Sequence, residues 1–230
     1  HMDEVRDRPR ALRERYAGPV TPPPATARAL AARVLDEAEQ GTFVDEVLDR
    51  HRAAAALDAR DRGLLTTLVF GVMRWRRELD FLIDACARQV DPEVRQHLRI
   101  ALFQMRHLER IPRHAAVNEA VELVKRGHGQ RVAGFANAVL RRAADLPLPN
   151  DLGVRWSHPE WLVRRWAPRY ADRLPELLAA NNAILPITAR TNRLRAPAEL
   201  GGPVIEIEGD PTAHPGFAAG HFTVQDETFT

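Results

Sequence analysis

With 230 residues, 45% of them hydrophobic and 28% charged, the chain can bury a full core and is too apolar to be a disordered tail. One cysteine excludes a disulfide framework or a thiolate-built zinc site and fits a reducing, cytoplasmic setting. The apolar runs are too short for a membrane helix, and the start lacks a signal-peptide layout. The net charge of +2 conceals an asymmetry: residues 106–142 hold eight Arg or Lys against three Glu, whereas six acidic residues and no Arg or Lys follow Arg195. That distribution favours a polyanion partner on the helical half. Lys125 is the sole lysine, which reflects either codon bias or the use of guanidinium groups on phosphate.

Residues 1–24 read as a flexible leader, Arg/Asp/Glu-rich and ending in Pro22-Pro23-Pro24. From Ala25 the apolar residues take helical spacing, with Ala29, Val34 and Leu35 on one side, Arg28 and Arg33 away from it, and Gly41 as a stop. Thr42 is placed to cap a second helix with Asp45 and Glu46 in its first turn, running to about Ala55. Asp58 caps a third, whose stripe of Leu64, Leu65, Leu68, Val69 and Val72 is interrupted at Gly71 and at Arg74-Trp75-Arg76-Arg77. The reading is one helix ending near Arg74 and another starting near Arg77, with Gly71 admitting a close neighbour. Arg74 and Arg76 sit at that junction, where they meet either phosphate or the helix C-terminal dipole. Asp91-Pro92 then opens a helix with Leu98, Leu102 and Met105 on one stripe, while Arg95, Arg99 and Arg106 are expected to face outward.

Residues 111–142 (IPRHAAVNEAVELVKRGHGQRVAGFANAVLRR) predict two consecutive helices broken at Gly127-His128-Gly129. The first has Ala116, Val117, Ala120, Val121 and Val124 on its apolar face; the second has Val132, Phe135, Ala136, Val139 and Leu140. Asn118 and Asn137 are poor interior helix formers, so each is assigned a specific hydrogen bond, either tying helices together alongside Glu119 or contacting RNA directly. Lys125, Arg126, Arg131, Arg141 and Arg142, with Arg113 at the start, are the cations best placed to meet phosphate. After Pro147 and Pro149, Ser157 and Pro159 open a further helix, and helical spacing continues to Asn181-Asn182. Three short strands follow around residues 187–194, 204–207 and 222–224; on the first, Arg190, Asn192 and Arg193 either contact RNA or keep the strand edge soluble.

Residues 64–80 (LLTTLVFGVMRWRRELD), 111–122 (IPRHAAVNEAVE) and 135–141 (FANAVLR) resemble the NusB-like RNA-binding domain. With residues 157–162 (SHPEWL), Asn181-Asn182 followed by Pro186, Arg190-Thr191-Asn192 and residues 220–227 (GHFTVQDE), the match extends to the bacterial RsmB/Sun/Fmu family of S-adenosylmethionine-dependent ribosomal RNA cytosine-C5 methyltransferases. The resemblance implies a mainly all-α fold, with a NusB-like helical bundle over residues 25–147 and a helical linker with a small α+β connector over 148–230. It implies small-subunit ribosomal RNA as partner. The family's chemistry needs a glycine-rich loop for the methyl donor and two cysteines, one to add at C6 of cytosine. This sequence has neither that loop nor a second cysteine and ends where the methyltransferase domain is expected. Accordingly no catalytic residue, metal or cofactor is assigned to it, and S-adenosylmethionine is expected only in the missing domain. The alternative is a free-standing NusB-like adaptor for RNA or a protein partner, of the transcription antitermination type.

Overall fold

The computed structural model describes residues 26–55, 57–183, 187–192, 194, 204–207 and 215–224. The leader, Arg193 and residues 225–227 lie outside them. The chain divides into two units at residues 178/179.

The first unit is helical: α1 (Ala27–Glu39), α2 (Val44–Ala54), α3 (Ala59–Arg74), α4 (Arg76–Asp84), α5 (Pro92–His107), α6 (Arg113–Ala144), α7 (Leu152–Arg155) and α8 (Glu160–Tyr170). A 3-10 turn, Ala171–Arg173, leads into α9 (Leu174–Asn182), within which the division falls. Several boundaries follow from local chemistry. Thr26 caps α1 by accepting from the Ala29 N–H, and Asp58 and Asp91 cap α3 and α5 in the same way, each satisfying an orphan first-turn donor. α1 ends before Gly41, whose φ of 101° is open to glycine at little cost. The cap expected at Thr42 is not made: Phe43 is the N-cap of α2, without a side-chain bond, and the acidic first turn alone complements the helix end.

The core of this unit is one cluster formed by α1 to α6, with Val47 of α2 and Leu65, Leu68, Leu79, Leu82, Leu98, Leu102 and Leu140 among its fully buried side chains. A Cβ at Gly71 would run into the ring of Phe103, so the glycine permits the close crossing of α3 and α5.

α6 is not one straight rod. A 32-residue helix would span roughly 48 Å, yet Arg113 at its start and Asp145 just past its end form an ion pair at 3.2 Å. The reversal is at Gly129, with φ 83° and ψ 172°. Segments 113–128 and 130–144 therefore lie antiparallel, as the predicted glycine break requires. Small residues, Ala116 and Ala120 on one segment and Ala133, Ala136 and Ala143 on the other, let this hairpin pack closely, chiefly on α5.

The second unit holds a three-stranded antiparallel sheet in the order β2-β1-β3: β1 (Ile187–Thr191), β2 (Val204–Ile207) and β3 (Phe222–Val224), with a short helix α10 (Pro215–Ala218) before the last. Ala189 pairs with Ile205 on one side and Val224 on the other. Ala189 and Thr191 alternate inward with Phe222, while Arg190 faces out on the other side of the pleat.

Candidate nucleic-acid interface

The arginines separate into those used inside the fold and those left at the surface. Arg28 donates from Nε to Gln104 Oε1 at 2.6 Å and pairs with Glu119 at 3.0 Å, fastening α1 to α5 and α6. Arg76 bridges Glu39 at 2.7 Å and Asp80 at 3.8 Å. Arg95, Arg99 and Arg106, expected to face outward, turn in instead. Arg99 is 4% exposed and holds Asp80 with two parallel bonds of 2.7 and 2.8 Å, Arg95 shares Asp80 and Asp84, and Arg106 meets the buried Glu78 at 2.7 Å. The physical reason is that α4 presents Glu78, Asp80 and Asp84 to α5, and a carboxylate facing an arginine in a partly dry interface draws its fork inward.

Arg77 acts as a clasp. Its backbone N–H donates to Ser157 Oγ at 2.9 Å, its guanidinium donates to the His158 carbonyl at 2.8 Å, and it pairs with Glu160 at 3.0 Å. Ser157, predicted to cap the helix that follows it, caps α4 across the fold, and α8 has Pro159 at its N-cap with no side-chain bond.

Arg33, Arg74, Arg126, Arg131, Arg141, Arg142 and Arg190 are exposed and form no ion pair among the described residues. Lys125 has only a loose partner in Glu122 at 3.8 Å, and Arg113 is spent on Asp145. Four of the unpaired cations lie on the α6 hairpin. Lys125, Arg126 and Arg131 flank its turn, and Arg141 and Arg142 lie roughly 16 Å along the second segment. Between them an exposed stripe runs through Gly134, Phe135 and Ala138. Phe135, assigned to the core by periodicity, is 39% exposed on that stripe. The second segment thus offers an aromatic ring between two sets of free guanidinium groups, which suits stacking on a base with phosphate contacts on either side.

The helix-tying role expected of the asparagines is not seen. Asn118 is exposed and Asn137 half-buried, and neither side chain makes a hydrogen bond among the described residues; Glu119, through Arg28, is the fastener. Asn192 Oδ1 accepts from the Leu194 N–H at 3.1 Å and its own N–H donates to the His221 carbonyl, so it shapes the end of β1.

The described residues do not fit S-adenosylmethionine. A dinucleotide-type or methyl-donor pocket of an α/β fold sits at the carboxyl ends of parallel strands beside a glycine-rich loop, whereas this sheet is antiparallel. The Cys86 thiol is pushed up by burial, against the opposing charge of Arg142, which disfavours the thiolate a nucleophile needs. Among the described residues, Asp91, Glu93 and His128 bring ligand-type atoms within 4.8 Å of one another, with His128 3.4 Å from Glu93; Asp91 is already engaged as the cap of α5. No helix among the described residues is long and apolar enough to cross a membrane.

Residues 25–145 match the NusB family, and residues 158–199 match the ferredoxin-like domain of RsmF/B-like methyltransferases. The chain is 33% identical over 232 residues to the ribosomal RNA small subunit methyltransferase B of Pseudomonas putida, covering 88% of this chain and 52% of that protein. It is 39% identical over 150 residues to its namesake in Thermus thermophilus, covering 64% and 36%. It therefore spans about half the length, or less, of these relatives. The crystal structure of PH0851 superposes with a TM-score of 0.56 at 17% identity, over 87% of this chain and 53% of that one, a likeness of fold. The chain belongs to the NusB family through residues 25–145 and continues into a segment of the RsmF/B ferredoxin-like type.

Proposed function

We propose that this chain is the RNA-recognition region of a cytoplasmic, S-adenosylmethionine-dependent ribosomal RNA cytosine-C5 methyltransferase, and that it binds small-subunit ribosomal RNA. The observation that carries the reading is the unpaired cationic stripe of the α6 hairpin. While Arg28, Arg76, Arg77, Arg95, Arg99 and Arg106 are neutralised by carboxylates, Arg126, Arg131, Arg141 and Arg142 stay exposed around Phe135. Surface guanidinium groups that repel one another are tolerated where a polyanion is to neutralise them. Arg33 and Arg74 supply further positive charge from α1 and α3, and Arg190 from the open face of the sheet.

The names of the relatives support small-subunit ribosomal RNA as the substrate class, and the RsmF/B-type segment at residues 158–199 favours this reading over a free-standing antitermination-type adaptor. Methyl transfer, with its donor, belongs to residues other than those described. The test is binding of this chain to fragments of small-subunit ribosomal RNA by fluorescence anisotropy, with a transfer RNA as competitor. Preferential, saturable binding that weakens when Lys125, Arg126, Arg141 and Arg142 are changed to glutamine is the expected result. Equal affinity for all RNAs and all variants at low salt would defeat the proposal.

A further inference from the structure

α8 runs for eleven residues without burying a single side chain. Its two faces differ in an unusual way. At 100° per residue, Leu162, Val163, Trp166 and Tyr170 share one face and are half-buried, with Trp166 edge-on to Tyr170 at 6.4 Å and tilted toward His158 at 6.3 Å. The other face carries Trp161, Arg164, Arg165 and Arg169, all exposed. On an ordinary amphipathic helix the bulky aromatic residue joins the apolar stripe. Trp161 instead stands 65% exposed, one turn from Arg164 and Arg165. Arg164 is steered by Glu160 at 3.0 Å, Arg169 lies over the Tyr170 ring at 5.8 Å, and Arg165 forms no ion pair among the described residues.

This face is held in place although it is uncovered. The Arg77 clasp grips Ser157, His158 and Glu160, so the first turn of α8 is fixed to α4. An indole presented on a cationic surface costs exposed apolar area, which calls for an occupant. Tryptophan and arginine also meet in protein interfaces, but α8 sets Arg164, Arg165 and Arg169 against Glu160 alone, and that excess of positive charge favours a polyanion. A helix lying in a lipid interface keeps its aromatic and aliphatic residues together, opposite the cations; here Trp161 sides with the arginines and the aliphatics are on the far face. Unpaired nucleic acid combines what both residue types want, a base to stack and phosphates to pair.

We propose that the Trp161/Arg165/Arg169 face of α8 is a second RNA-contacting surface, which stacks an unpaired base on Trp161 and takes the flanking phosphates on Arg165 and Arg169. The proposal rests on the reading that the chain binds RNA, and adds a site that α6 does not supply. The test uses the full chain and a labelled single-stranded RNA oligonucleotide of mixed sequence, with salt titration and thermal melting of each variant. Trp161→Ala should weaken binding about ten-fold at fixed salt with an unchanged salt slope and melting point, and Trp161→Phe should recover part of the loss. Arg165→Gln with Arg169→Gln should lower the slope by about 1.4.

If these variants bind like wild type while the α6 variant is weakened, the α8 surface is overturned and the function proposed above survives. If wild type itself fails to bind the oligonucleotide, the α8 surface is overturned, while the function proposed above stands or falls on the ribosomal RNA fragments. A lowered melting point or a changed molecular mass for Trp161→Ala would show that the indole is covered by protein, and would also overturn the proposal.

Discussion

Removing the Arg99 guanidinium should be among the most damaging single changes in the bundle. Arg99 is 4% exposed, forks onto Asp80 at 2.7 and 2.8 Å, and reaches Glu39 and, at 3.1 Å, Gln96. Arg99→Met keeps the apolar stem packed but leaves the two carboxylates short of a partner. Breaking a buried pair from one side costs about 3–5 kcal/mol. Arg95 still lies 3.3 Å from Asp80, and Arg76 still pairs with Glu39 at 2.7 Å, so the lower end, about 3 kcal/mol, applies. In a domain of this size each kcal/mol moves the melting point by about 2–4 °C, giving a fall of roughly 6–12 °C.

The pH dependence supplies a second check. Burial raises the Glu39 carboxyl, but Arg99 and Arg76 outweigh it and hold the group below its ordinary value of 4.5. A depressed carboxyl contributes stability above its unfolded pKa and loses it as pH falls through the folded one. The gap between wild type and Arg99→Met, followed by far-UV circular dichroism, should therefore narrow on acidification below 4.5. A variant that melts within about 2 °C of wild type at neutral pH, set against the shift expected above, would refute the reasoning.

Three further changes probe other parts of the fold. Ser157→Ala removes the oxygen that caps α4 and should cost about 1 kcal/mol, read as a melting point lower by about 2–4 °C. Gly71→Ala drives a methyl group into the Phe103 ring and should cost about 1–3 kcal/mol by denaturant unfolding, with an unchanged m-value. His97 is held down to about 4, from an ordinary 6.5, by burial first and the nearby charge of His128 second. It therefore stabilises the fold fully above 6.5 and loses that contribution as pH falls toward 4. His97→Gln should flatten the stability profile in that window, and an NMR titration of His97 near 6.5 would contradict the assignment.

What periodicity and punctuation control was legible in the sequence. The helix breaks at Gly129 and after Arg74, the caps at Asp58 and Asp91, the close crossing at Gly71 and the three short strands all depend on a few neighbouring residues. The interface was less legible, because an arginine's fate depends on what faces it from afar. Arg99 meets Asp80 nineteen positions away and Glu39 sixty away, and Arg77 meets Ser157 eighty away. A helical stripe shows that Arg95, Arg99 and Arg106 leave the apolar face; it does not show that α4 brings carboxylates to meet them. Phe135 was misassigned for a related reason. It falls at the edge of the apolar arc of a hairpin whose other segment is small and alanine-rich, and so it remains uncovered. Asn118 and Asn137 carried a signal of polarity inside a helix, but not the partner that polarity would serve.

The central claim, that the cations of the α6 hairpin are left unpaired for phosphate, is tested most directly by salt dependence. Log affinity for a small-subunit ribosomal RNA fragment should be measured against log salt for wild type and for the Lys125→Gln/Arg126→Gln/Arg141→Gln/Arg142→Gln variant. If each cation meets a phosphate, the variant's line should be shallower by roughly three, at an unchanged melting point, because those counterions are no longer released. Two parallel lines, whatever their offset, would contradict the account.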